Sequence, residues 1–168
     1  MSQTLTLHGY HVWANELVFE HLKKLPGDIW SQALNSVFPS IQATMSHIYA
    51  MDAMWLNVMQ GGTFEEARAV VIEQLSQSSN LTIQHMQERY SLLATDYRRF
   101  ISSLDTDTSI SISHPAFGTV STAMTDLVQH VVNHGTYHRG NITAMLHQCG
   151  QKGVPTDYMF YLFSLSKS

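Results

Sequence analysis

Apolar residues in the first part of the chain recur at steps of three and four: Leu7, Tyr10, Ala14, Leu17, Val18, Leu22 and Leu25. This is the helical period, and it predicts a helix over about 7–25, ended by Pro26-Gly27. The period returns in Ile41, Met45, Ile48, Trp55, Leu56 and Met59, with Ser40 as cap and Gly61-Gly62 as stop. A second helix is expected over about 40–60. A short helix over about 65–75 leads into a third long segment, about 81–104, carrying Met86, Tyr90, Leu93, Tyr97, Phe100 and Leu104. The fourth long segment runs from about Thr125 to Cys149, with Gly150 placed to end it.

The pattern changes between the third and fourth segments. Ser109-Ile110-Ser111-Ile112-Ser113 alternates with period two, His114 to Gly118 reads as a turn, and Thr119 to Thr122 is β-prone. A small hairpin is expected there. The four prolines, Pro26, Pro39, Pro115 and Pro155, all fall between periodic segments. The apolar run Tyr158 to Phe163 should pack across the bundle or against a partner chain. Four long amphipathic helices imply an all-α fold, a helical bundle forming one domain over residues 1–168. The long connections permit an order of helices other than simple up-and-down.

Composition narrows the function. Nine Lys plus Arg against 13 Asp plus Glu give a net charge of −4, which offers no electrostatic footprint for nucleic acid. The longest unbroken apolar run is the six residues 158–163, too short to span a membrane. The chain's start has neither a basic region nor an apolar block, so no secretory signal is expected. Cys149 is the one cysteine, which excludes an internal disulfide and fits a cytoplasmic location. Histidines, at 10, outnumber Lys plus Arg, so the chemistry rests on where they fall.

The stripe of the fourth segment, Leu127, Val131, Ile142, Met145 and Cys149, is interrupted at its centre by His134 and His138. Residues four apart share a helix face and lie about 6 Å apart along the axis, so two imidazoles can converge on one metal ion. The alternative is two packed histidines with ordinary hydrogen bonds. Gly135 and Gly140 each cost a helix about 1 kcal/mol relative to Ala, which marks either a functional site or close helix packing. His130 is about 12 Å from His138 along the axis. It can pair only with His134 and is otherwise a neighbour of the site. Cys149 is expected in the core and His147 in solvent. A third ligand must come from another helix. His47, in line with Met51, Met54 and Val58, and His11, in line with Leu7, Ala14, Val18 and Leu22, score equally by periodicity. His21, His85 and His114 fit less well.

With Tyr10-His11-Val12-Trp13-Ala14-Asn15, Ser46-His47-Ile48, the hairpin with Gly118, and above all His130-Val131-Val132-Asn133-His134-Gly135-Thr136-Tyr137-His138-Arg139-Gly140-Asn141-Ile142, the chain resembles the DinB-like family. The resemblance implies an up-down-down-up four-helix bundle and commonly a homodimer. It implies a metal site of three histidines, one from the second helix and two from the fourth. These fall on His47, His134 and His138 and decide against His11. Asn141 stands where Gln is more usual.

Three imidazoles leave a divalent metal with open coordination positions, as catalytic sites do. The ion can lower the pKa of bound water or hold a thiolate. Imidazole suits zinc, nickel, copper and iron; zinc or nickel is the expected ion, with iron, manganese or copper as alternatives. The expected enzyme is therefore a metal-dependent thiol S-transferase or a hydrolase, with a small-molecule thiol and an electrophile as substrates. No His-Glu-x-x-His motif supplies a general base. Asp126 is about 12 Å from His134 along the axis, while Asp52 and Tyr137 are nearer in sequence. A non-catalytic module clamped by metal is the alternative.

Overall fold

Short polar side chains set where the helices begin. In the computed structural model, which describes residues 2–105 and 108–166, helix α1 spans Gln3–Leu22 and starts at Ser2, whose side chain accepts from the Leu5 amide. It begins a turn earlier than the apolar period, because Gln3 to Thr6 carry no stripe. That turn is held by the Ser2 cap and by Thr4, whose hydroxyl lies 2.6 Å from that of Thr125. A single 3-10 turn, Gly27–Trp30, lies in the loop before α2 (Ile41–Met59), which Ser40 caps as expected. Helix α3 (Phe64–Ser78) opens on a capping box between Thr63 and Glu66. It runs three residues past the predicted end, where Ser78 is buried and contacts Arg89. Helix α4 covers Ile83–Ser102, capped by Thr82. Strands β1 (Ser109–His114) and β2 (Gly118–Ala123) pair antiparallel, Ser109 opposite Ala123 and His114 opposite Gly118. His114 closes the ladder, where the sequence pattern had placed it in the turn. Helix α5 (Met124–Gln148) is the longest, and Gly150 follows it at φ +72°, a conformation that side chains resist. Helix α6 (Tyr158–Leu165) closes the described chain.

Cross-helix contacts fix the directions of the bundle. Thr4 meets Thr125 and Asn15 meets Arg139, so α1 and α5 run parallel. Thr44 meets Met145 and Trp55 meets His130, so α2 opposes α5. Tyr90 donates to the Met45 carbonyl and Tyr97 to that of Asp52, so α2 and α4 run parallel. Phe19 meets Tyr90 and His8 meets Tyr97, so α1 opposes α4. The order is up-down-down-up. Two parallel helices cannot be joined by a tight turn, and α3 is the return path that lets α4 run with α2. Helix α6 crosses α1, with Tyr161 seated over Gly9 and only Tyr161 buried.

The core has two apolar parts. One gathers Phe19, Leu22, Ile41, Met45, Ile48, Met86, Ile142 and Met145, and the other Tyr10, Ala14, Leu56, Met59, Tyr97, Leu127, Val128 and Val131. Between them lies a buried polar layer: His8, His11, Asn15, Asp52 and Arg139. Among the described residues no helix is long and apolar enough to cross a membrane.

Candidate metal centre

Antiparallel packing of α2 on α5 sets His47 opposite His134 and His138. The Nε2 atoms of His47 and His138 lie 3.2 and 3.1 Å from Nε2 of His134. One ligand nitrogen from each of the three lies within 4.8 Å of the others. The i, i+4 spacing on α5 delivers the second contact directly, with the two rings 4.5 Å apart and edge-on. The loop before α2 adds Phe38, whose ring lies 4.7 Å from His47 and 5.4 Å from His138. Tyr137, 64% exposed, sets its ring 4.9 Å from His138.

Burial lowers all three histidines below the ordinary value. His134 falls to about 3, from burial first and then from His138 and His47 beside it. His47 falls through burial, partly opposed by Asp52, and His138 through burial and His47. Three neutral imidazoles therefore face one another. They cannot satisfy each other, because His134 Nε2, with two neighbours at hydrogen-bond distance, has either one lone pair or one hydrogen to offer them. With the lone pair on Nε2 the proton sits on Nδ1, which is buried without a partner among the described residues. A cation at the centre would take a lone pair from each ring at once. The three residues are thus positioned to bind a metal ion, and their donor set fits one.

His11 belongs elsewhere, so the tie left by periodicity is broken by geometry. Its Nε2–H donates to Asp52 Oδ2 at 2.8 Å, and Arg139 Nη1 lies 3.4 Å from its Nδ1. Arg139 also donates to Asn15 Oδ1 at 2.8 Å and to Thr136 Oγ1 at 2.9 Å. Gly135 makes room for this layer. A Cβ there would collide with the His11 ring, 2.7 Å from its Nδ1. Gly140 has no such reason, since a Cβ would meet nothing within 4 Å.

The remaining candidates also have places. His130 is exposed, with its ring 4.7 Å from Trp55 and 6.5 Å from His134. His147 and His85 are exposed, and His21 donates to the Lys152 carbonyl. His114 accepts from the Ala116 amide in the hairpin. Cys149 is only half-buried, a correction to its expected core position. It lies at the last turn of α5, where its Sγ donates to Gln32 Oε1. Asp126 is held by Thr122, and Asp52 Oδ2 by His11, so neither offers its bonded oxygen to the cluster. No apolar pattern singles out His8, buried and stacked on Tyr97, or the joint role of Asn15, Asp52 and Arg139. The spacing of His11 and Asn15, four apart, was the available signal.

Fold and site define a four-helix protein of the up-down-down-up type with three histidines on α2 and α5. The model of the DinB family matches residues 1–166, and the chain belongs to that family. It is similar to Protein DinB of Bacillus subtilis (strain 168), 42% identical over 158 residues, covering 94% of this chain and 92% of that protein.

Proposed function

We propose that His47, His134 and His138 hold a divalent metal ion, zinc or nickel before iron, manganese or copper, and that the protein is a metal-dependent enzyme. The carrying observation is the convergence of three neutral Nε2 atoms that cannot satisfy one another. Such an ion, bound by three imidazoles with positions to spare, supplies Lewis-acid chemistry to a thiol or to water. Thiol transfer to an electrophile is the better reading. Hydrolysis asks for a protein base, and the carboxylates nearest in sequence are bonded elsewhere: Asp52 to His11 and Asp126 to Thr122. A thiol ionises more readily than water and asks less of the protein. Tyr137, exposed beside His138, is the side chain available to pass a proton.

A metal clamp without catalysis is the second reading, favoured by ligands that come from two helices and so tie α2 to α5. The test combines metal content, melting and turnover. Alanine at His47, His134 or His138 should abolish metal binding, while His130→Ala and Cys149→Ala should retain it. Full occupancy in His134→Ala would overturn the assignment. Metal-dependent stability, with no turnover of a panel of thiols and electrophiles, would select the clamp. A homodimer is part of the proposal. It rests on the family resemblance and on α6, which exposes Met159, Phe160 and Phe163. A monomeric mass in sedimentation would remove it. The net charge of −4 favours no nucleic-acid partner.

A further inference from the structure

We infer that Asn141 is a positioning residue for His138: its side-chain amide, in contact with Nδ1, can turn its oxygen to that nitrogen and so hold the tautomer whose Nε2 is free to bind metal. The inference rests on the metal reading of the three histidines. Asn141 follows His138 by three residues on α5, on the same face of the helix. Its amide nitrogen lies 3.2 Å from His138 Nδ1. Among the described residues no other side chain hydrogen-bonds that nitrogen. The other ligand on α5 is not held in this way, for His134 Nδ1 is buried with no partner among the described residues.

The direction of the Asn141 bond decides the chemistry. With the amide N–H pointing at Nδ1, that nitrogen is an acceptor, and the ring hydrogen sits on Nε2. His138 then donates toward His134 Nε2 at 3.1 Å and has no lone pair to offer a metal. A half-turn about the last side-chain bond exchanges amide nitrogen and oxygen with almost no change of shape. Oδ1 then faces the ring, Nδ1–H donates to it, and the Nε2 lone pair turns into the cluster. A cation on Nε2 withdraws electron density and makes Nδ1–H a stronger donor, so the second arrangement gains most when metal is bound. Asn141 thus offers one bond to the metal-free ring and the complementary bond to the metal-bound ring. A leucine of similar size offers neither, and an aspartate offers only the second.

The experiment measures zinc affinity of the full chain by competition with a chromophoric chelator, for wild type, Asn141→Leu and Asn141→Asp. Melting of the metal-free forms is read alongside. Asn141→Leu should bind zinc about 10- to 100-fold more weakly, while its metal-free melting changes little. Asn141→Asp should bind as tightly as wild type or more tightly. In the zinc-loaded wild type, nitrogen NMR of His138 should show Nδ1 protonated. The inference is overturned by wild-type affinity in Asn141→Leu, by equal losses in the Leu and Asp variants, or by an unprotonated Nδ1. Wild type that takes up no zinc overturns the parent reading and this one with it, whereas zinc binding indifferent to residue 141 overturns this one alone.

Discussion

Replacing Arg139 by leucine asks whether the polar layer between the two halves of the core acts as one electrostatic unit. Arg139 is 2% exposed and Asp52 4%. They do not touch; His11 bridges them, with Nε2 on the carboxylate and Nδ1 facing the guanidinium. Burial pulls the Arg139 guanidinium below its ordinary value, and Tyr10 and Asp52 oppose that pull. Removing the cation leaves the Asp52 carboxylate inside the bundle, and it strips the donors from Asn15 Oδ1 and Thr136 Oγ1. Leaving a buried charge uncompensated costs about 3–5 kcal/mol. The unpaired buried acceptor on Asn15 costs about 1–3 kcal/mol, whereas Thr136 is exposed and water replaces its donor. These figures describe overlapping losses and do not sum, so about 4 kcal/mol is expected. That is a large share of the roughly 5–15 kcal/mol that holds a domain folded, and it lowers Tm by about 8–16 °C. Urea unfolding followed by circular dichroism, with chelator present to exclude any metal contribution, measures it. The double variant with Asp52→Asn completes the cycle. It should be less destabilised than the sum of the two single variants, by about 1–3 kcal/mol. An Arg139→Leu cost below about 1 kcal/mol, or strict additivity, would refute the unit.

Two further outcomes follow from buried histidines and from glycines. His134 and His8 are both held to about 3, the latter by burial and then by His11 and Arg98, against an ordinary 6.5. The folded state therefore binds fewer protons than the unfolded, so this stability is complete above about pH 6.5 and is lost as pH falls toward 3. Metal-free protein should show a falling Tm between pH 6.5 and 4, and added zinc should steepen the fall by up to about two protons per ion, from His47 and His138, since His134 is already neutral there. A flat metal-free profile would contradict it. Gly140→Ala should stabilise by about 1 kcal/mol, because its Cβ meets open space, whereas Gly135→Ala should destabilise by driving a methyl into His11. Thermal melts giving both variants the same sign would count against these packing assignments.

Helix placement was legible in the sequence because each long helix carries an apolar stripe at its own period, and a stripe is a local property. The centre of α5 was legible for the same reason, since i, i+4 spacing alone puts His134 beside His138. What periodicity could not decide was the third histidine of the cluster. His47 and His11 both sit on core-facing stripes, and a stripe records that a side chain points inward without recording what it meets there. The tertiary structure separates them by direction. Antiparallel α2 brings His47 onto the pair, while parallel α1 brings His11 onto Gly135, Arg139 and Asp52. The two glycines repeat the lesson. Both break the helix rule equally in sequence, yet a neighbouring ring requires Gly135 and no neighbour requires Gly140. The Thr4 contact of α1, the last turn of α3 and the buried ion layer were invisible for one physical reason. Their partners, at Thr125, Arg89 and across three helices, lie on other elements, outside the window of a single helix. Local pattern determined which segments would be helices and which face would be buried, and only packing decided which buried polar groups would find each other.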